Sequence, residues 1–465
     1  MAGLLDRERT IARPGFNRWL VPPAALAIHL SIGQAYAYSV FKLPLTRVLG
    51  ITEPAAGDWT QKQLQWIFTL FFVVLGLSAA LFGRWLERVG PRKAGVVAAF
   101  CWGGGYMISA LGVHLHSIWL LYLGNGVIGG TGLGLGYISP VSTLIKWFPD
   151  RRGMATGMAI MGFGGGAMIG APLADALMKH YASATSVGVW QTFVTMGGIY
   201  FVAMLCGAFG YRLPPPGWKP FGWTAPVRQR AMITLRNVHV DRAIRTPQFW
   251  LLWLVLCMNV SAGIGVLEQA SPMIQEVFSG AVSASAAAGF VGLLSLFNIG
   301  GRIFWASLSD YLGRKRTYLA FFSLGFLLYA AVPFAGKIGS VPLFVAIFCV
   351  ILTMYGGGFA TIPAYLADMF GTQYVGAIHG RLLTAWSTAG VLGPVLVNYI
   401  RQYQIDRGVP PADAYNVTMY VLAGLLVVGF LSNLAVKPVA ERHYLAETEP
   451  AGGSGPAGRG APQGA

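Results

Sequence analysis

Twelve stretches of mostly apolar residues run along the chain: 19–43, 63–83, 94–114, 117–144, 153–178, 189–211, 248–272, 284–308, 317–336, 341–366, 376–400 and 415–436. Each has the roughly 20 residues that an α-helix needs to cross a bilayer. Lipid offers the backbone no hydrogen bonds, so such stretches cross as helices. The fold class expected is therefore an all-α membrane protein of twelve transmembrane helices. Charge agrees. Only 11% of the 465 residues are Asp, Glu, Lys or Arg, against about 25% in a soluble domain. The 62 glycines fit as well, because small residues let membrane helices approach closely.

The longest polar interruption, 212–247, falls between the sixth and seventh stretches and is rich in Pro and Arg. It divides the chain into a segment 1–18, a six-helix half 19–211, a linker 212–247, a second half 248–436 and a tail 437–465. The tail ends in a Gly/Pro/Ala-rich run that reads as disorder. The formal net charge is +16. In a membrane chain this excess sets topology rather than binding nucleic acid. Of the 33 Lys and Arg, 24 lie on the side of the N-terminus, seven on the other, and Arg302 and Arg381 within stretches. Both termini and the linker are thus expected in the cytoplasm, with the protein in the cell inner (plasma) membrane. The polar, basic start runs straight into the first stretch, so a cleavable signal is not expected. Cys101, Cys206, Cys257 and Cys349 lie in apolar surroundings without metal-ligand spacing and read as packing residues.

The halves repeat. Pro140 and Pro363, Gly153 and Gly376, Gly157 and Gly380, and Gly170 and Gly393 are each 223 residues apart. So are the loops Glu87-Arg88-Val-Gly90 and Asp310-Tyr-Leu-Gly313. One offset across these landmarks implies two six-helix repeats, with a substrate site near the midplane between them. Each loop sets an acid beside a basic cluster across a tight Gly turn, as a conformational latch would. Gly83, Glu87, Arg88, Gly90 and Arg92 form one copy. Asp310, Gly313 and Arg314 form the other.

The first loop, Gly83-Arg-Trp-Leu-Glu87-Arg88-Val-Gly90-Pro-Arg92-Lys93, resembles the signature GxxxDRxGRK of the major facilitator superfamily, with Glu87 for Asp and Pro91 for Arg. Four further strings narrow the resemblance: Arg245-Thr-Pro-Gln-Phe-Trp250, Lys146-Trp-Phe-Pro-Asp-Arg-Arg-Gly153, Tyr36-Ala-Tyr-Ser-Val-Phe41 and Gly301-Arg302-Ile-Phe-Trp305. Together they are similar to the oxalate:formate antiporter family, carriers of small carboxylates. That resemblance covers about 15–440.

Arg302 is the sharpest candidate. It lies eight residues before Asp310, about 12 Å into the membrane at ~1.5 Å per residue. A buried Arg is expensive and marks a functional site by default, and its planar fork suits a carboxylate. The resemblance implies the same anchoring role. It also implies a cage of Tyr36, Tyr137, Phe163, Tyr355 and Phe359. Where the family's oxalate carriers place a Lys, this chain has Trp386. A dianion would then bring an uncompensated charge, which favours monocarboxylates. Arg381 is the alternative second charge. His29 and Glu268 are candidates to carry a proton. The Asp and Lys with which proton-coupled monocarboxylate porters work are absent: Asn298 precedes Arg302 by four, and the first stretch shows Tyr36-Ala-Tyr38.

The function expected is secondary transport of small organic anions by alternating access, as an exchanger. Proton-coupled monocarboxylate symport is the alternative, and a transporter-like sensor the lesser one. No HExxH or GxSxG occurs, and the histidines are scattered, so an enzyme is not expected. Neither is a cofactor, a metal or a nucleic-acid partner. The partners expected are the organic anion and the lipid bilayer, around a monomer.

Overall fold

A computed structural model describes residues 3–223 and 232–445. Most of the tail, 446–465, is outside the described residues. The described regular structure is helical. Eleven of the described helices are long and apolar enough to cross a membrane. They are α2 (Gln61–Val89), α3 (Pro91–His114), α4 (Ile118–Trp147), α5 (Arg152–Tyr181), α6 (Val189–Gly210), α7 (Pro247–Val277), α8 (Ala284–Leu312), α9 (Arg314–Lys337), α10 (Val341–Phe370), α11 (Val375–Asp406) and α12 (Asn416–Ala435). The twelfth element, α1, starts as an α-helix over Val21–Ile32 and tightens to a 3-10 helix over Gly33–Phe41. The sequence reading expects one continuous helix there. A second irregularity is a π-helical stretch, Tyr122–Gly129, inside α4.

The repeat offset reappears in the backbone. α2 and α8 start and end 223 residues apart, as do α3 and α9. Their caps match too. Thr60 accepts from the Gln63 amide at the start of α2, and Ser283 accepts from the Ala286 amide at the start of α8. Such caps satisfy amides that a helix leaves orphaned. Gly90 and Gly313 turn the chain at φ +87° and +86°, a region glycine enters without steric cost.

Within each half, α3 packs on α6 and α9 on α12. Two seams join the halves: α5 lies along α8, and α2 along α11. Chain alternation brings both ordered ends to the side of the linker, here called the linker end. The linker contributes one helical turn, Val240–Ala243. The start of the tail is ordered against it: Val238 bridges Tyr444, and the Leu445 amide donates to the Asn237 carbonyl. These backbone bonds hold residues that the sequence reading places in a disordered tail.

Candidate functional site

Arg302 is fully buried on α8. Its Nε donates to Asn298 Oδ1 one turn earlier (3.2 Å), and its Nη1 donates to the Ile160 carbonyl on α5 (3.0 Å). Nη2 has no hydrogen-bond partner. No carboxylate pairs with the guanidinium among the described residues. The backbone makes room for this arrangement. A Cβ on Gly356 of α10 would fall 2.2 Å from the Asn298 carbonyl oxygen and 3.1 Å from Arg302 Cγ. Glycine there lets α8 seat its polar residues against α10. A buried charge without a counter-ion is strongly unfavourable.

The aromatic residues close around it. The guanidinium lies over Phe163 and Phe359, 5.9 and 5.7 Å from the ring centroids. Phe359 meets Trp386 edge-on at 4.4 Å and Tyr355 at 5.3 Å. Tyr36 stands edge-on to Phe163 at 4.8 Å, and its hydroxyl reaches that of Tyr355 at 3.4 Å. Tyr137 contacts Phe163 at 5.6 Å and Trp386 at 5.2 Å. The structure thus brings together Arg302 and the six aromatics named from the sequence, on six different helices. Cation–π contact and exclusion of water both strengthen charge interactions here.

Three neighbours are not among those site residues. Phe72 of α2 touches Tyr36 and Trp386 at 5.9 and 5.4 Å. Asn298 positions the Arg302 guanidinium. His379 of α11 lies 5.9 Å from the Tyr137 ring. A Phe on a lipid-type helix carries no sequence signal. The spacing Asn298–Arg302, one helical turn, is a signal that could have been used.

The other ionisable candidates are placed differently. His29 is buried, with Nδ1 against the Ala159 carbonyl and Nε2 3.2 Å from the Tyr137 carbonyl. Arg381 turns to the linker, where its Nη2 meets Asp241 Oδ1 at 2.9 Å. Arg84 of α2 meets the same carboxylate at 3.1 Å. The side chain of Glu268 is outside the described residues.

Both loop motifs reach across the seams at the linker end. Asp310 accepts from the Gly153 and Met154 amides at the start of α5 (2.8 and 3.0 Å) and from Arg314 (2.5 Å). Glu87 accepts from the Gly376 amide at the start of α11 (3.0 Å), from Ser142 (3.1 Å) and from Lys146 (2.6 Å). Each acid therefore caps a helix of the opposite half, where the helix dipole favours negative charge. Asp368 of α10 adds a further link, taking Arg152 and Arg314 at 2.9 Å each. Gly83 packs on Ala377, Arg92 donates to the Leu4 carbonyl (3.0 Å), and Arg88 is exposed. A cavity of about 750 Å³ is lined by Arg152, Asp310, Arg314 and Asp368. These charges pair with one another, unlike Arg302, with Arg152 Nε left without a partner.

The sequence matches the Major Facilitator Superfamily over residues 15–394. The oxalate:formate antiporter of Oxalobacter formigenes is 26% identical over 378 residues, which cover 81% of this chain and 83% of that protein. The apicoplast pyruvate carrier 1 of Toxoplasma gondii is 26% identical over 378 residues, covering 68% of this chain and 65% of that one. Among solved structures, the fucose:proton symporter FucP of E. coli superposes with a TM-score of 0.63 at 14% identity, over 90% of this chain and all of that one. With two six-helix repeats, their seams and the matched profile in agreement, the chain belongs to the Major Facilitator Superfamily and is a multi-pass membrane transporter.

Proposed function

We propose that this transporter carries small carboxylates, chiefly monoanions, by alternating access, as an anion exchanger. The observation that supports it most is the buried Arg302, whose Nη2 is unpaired inside an aromatic cage. A carboxylate supplies the missing counter-ion and fits the fork. The relatives named for oxalate:formate antiport and for pyruvate point to the same chemistry. The preference for one negative charge rests on Trp386, which fills the cage wall, and on Arg381, which is bound to Asp241. A second charge on the substrate would enter a low-dielectric site uncompensated, at a cost of several kcal/mol. The linker end faces the cytoplasm in this reading, from the cation bias. The two seams close that end, and release of the Glu87 and Asp310 caps opens it.

Counterflow in proteoliposomes with a panel of carboxylates tests the reading. Arg302→Ala is expected to abolish exchange while the protein still inserts, and Arg302→Lys to reduce it sharply, because the ammonium lacks the fork. Near-normal exchange by a folded Arg302→Ala protein would refute the anchor. Trp386→Lys is expected to move competition from monocarboxylates toward oxalate. Oxalate outcompeting every monocarboxylate in the wild type would refute the charge preference. Cysteines at Gly3 and Lys219 are expected to resist impermeant thiol reagents in intact cells.

A further inference from the structure

The core holds two buried histidines, and they differ in one respect. His29 has a carbonyl oxygen against each ring nitrogen, from Ala159 and Tyr137. His379 is 1% exposed, yet neither Nδ1 nor Nε2 has a partner. Buried polar groups without hydrogen bonds are costly and rare. A histidine kept only for packing would find at least one carbonyl, as His29 does.

The surroundings of His379 give a reason. Its ring is 5.9 Å from that of Tyr137, whose ring is 5.2 Å from that of Trp386. The Tyr137 hydroxyl and the Trp386 indole N–H are buried and unpartnered as well. Three polar groups linked through the Tyr137 ring thus lack partners. Against Phe163 and Phe359, the unpartnered atom is Nη2 of Arg302. Among Arg302, Tyr137, Trp386 and His379, the unsatisfied atoms form two poles, one cationic and one of polar groups without formal charge. The neutral pole has donors in the indole N–H and the phenol, and both a donor and an acceptor in the imidazole.

We propose that His379 is a specificity-determining residue that touches the substrate, reading a second oxygen beside the carboxylate held by Arg302. The inference rests on the carboxylate reading above. The ligand class is a small monocarboxylate with a hydroxyl or oxo oxygen on the carbon next to the carboxylate. A site built to hydrogen-bond such an oxygen rejects the analogue lacking it, because its own buried groups then stay unpaired. A plain carboxylic acid of the same carbon count leaves the imidazole unsatisfied.

Binding of glycolate against acetate, and of lactate against propionate, to the purified full-length protein tests this. In the wild type the oxygenated acid is expected to bind at least about tenfold tighter than its partner, the factor that one well-placed hydrogen bond supplies. His379→Phe is expected to compress that ratio to below about threefold, and His379→Gln to restore part of it. Independently of any variant's folding, the labelled His379 ring resonance in the wild type is expected to shift with glycolate and not with acetate. An unchanged ratio in folded His379→Phe, no preference in the wild type, or a resonance blind to glycolate would each overturn the proposal. Acetate and propionate binding with no such preference would overturn this proposal alone. A wild type that binds none of the four acids would remove the carboxylate reading too.

Discussion

The seams α5/α8 and α2/α11 are copies of one another, yet they are sealed by different chemistry. In the first, Asp310 caps two amides of α5, and Asp368 joins Arg152 of one half to Arg314 of the other. At the repeat-related positions of the second seam stand Ile145, Val375 and Pro91. Glu87 there caps one amide and leans on Lys146 within its own half. The glycines differ as well. A Cβ on Gly153 would fall 2.0 Å from the Ala306 carbonyl oxygen, whereas one on Gly376 would meet side-chain atoms of Glu87 and Ser142 at 2.6 Å and beyond. Backbone cannot step aside as a side chain can. The repeat thus preserves the path of the chain and a capping acid at both seams, while only the first adds a buried ion pair between the halves, Arg152 with Asp368.

That contrast can be broken in order of effect. Spin labels at Tyr311 and Arg151 report the first seam, and labels at the repeat-related Arg88 and Tyr374 report the second. Asp368→Asn leaves two buried guanidinium groups without their shared carboxylate, and removal of one partner from a buried pair costs about 3–5 kcal/mol. The Tyr311–Arg151 distance is expected to lengthen in most molecules. An unchanged distance distribution would show that the charge network does not hold this seam. Next comes Gly153→Ala, whose methyl group overpacks against backbone at about 1–3 kcal/mol. Gly376→Ala is expected to do measurably less by the same labels, and equal effects would erase the asymmetry.

Glu87→Gln removes charge from three hydrogen bonds and is expected to weaken the second seam by about 1–3 kcal/mol. Its distances should broaden at Arg88–Tyr374 and stay fixed at Tyr311–Arg151. The smallest effect belongs to Asp241, whose half-exposed bridge to Arg84 and Arg381 is worth about 0–1 kcal/mol. Partial burial works to raise the Asp241 pKa, but the Arg381 hydrogen bond and the Arg84 charge outweigh it and hold it below its usual 3.8. A depressed carboxylate stabilises at pH above its unfolded value, and that contribution is lost as pH falls through the folded value. The clip is therefore expected to be intact at neutral pH and to loosen only below about pH 4. A change in the Arg88–Tyr374 distance between pH 7 and 5 would show another group at work.

What the sequence revealed follows from which signals are local. Apolar length located the membrane helices, and one offset found the repeat that the caps Thr60 and Ser283 later matched. Arg302 stood out because a lone cation in an apolar stretch has no ordinary explanation. Asp368 falls two residues past the tenth stretch, 341–366, where an acid reads as interfacial. Its two arginine partners are 216 and 54 residues away, so no local pattern joins them. His379 and Phe72 were unreadable for a related reason: their significance lies in what they lack or touch across the halves. The tightening of α1 after Ile32 was hidden too, since 3-10 runs are ordinarily short and the one over Gly33–Phe41 is 9 residues long.

That tightening fixes a compass bearing. From Gly33 to Tyr36 the 3-10 winding makes one full circle of about 360°, where an α-helix would turn only about 300°. Relaxing this turn to α would swing Tyr36 by about 60° around the axis of α1, away from Phe163 and the Tyr355 hydroxyl that it now faces. The wall that Tyr36 gives the cage is thus set by how tightly the main chain is wound, and unwinding would remove it without a single side-chain torsion changing.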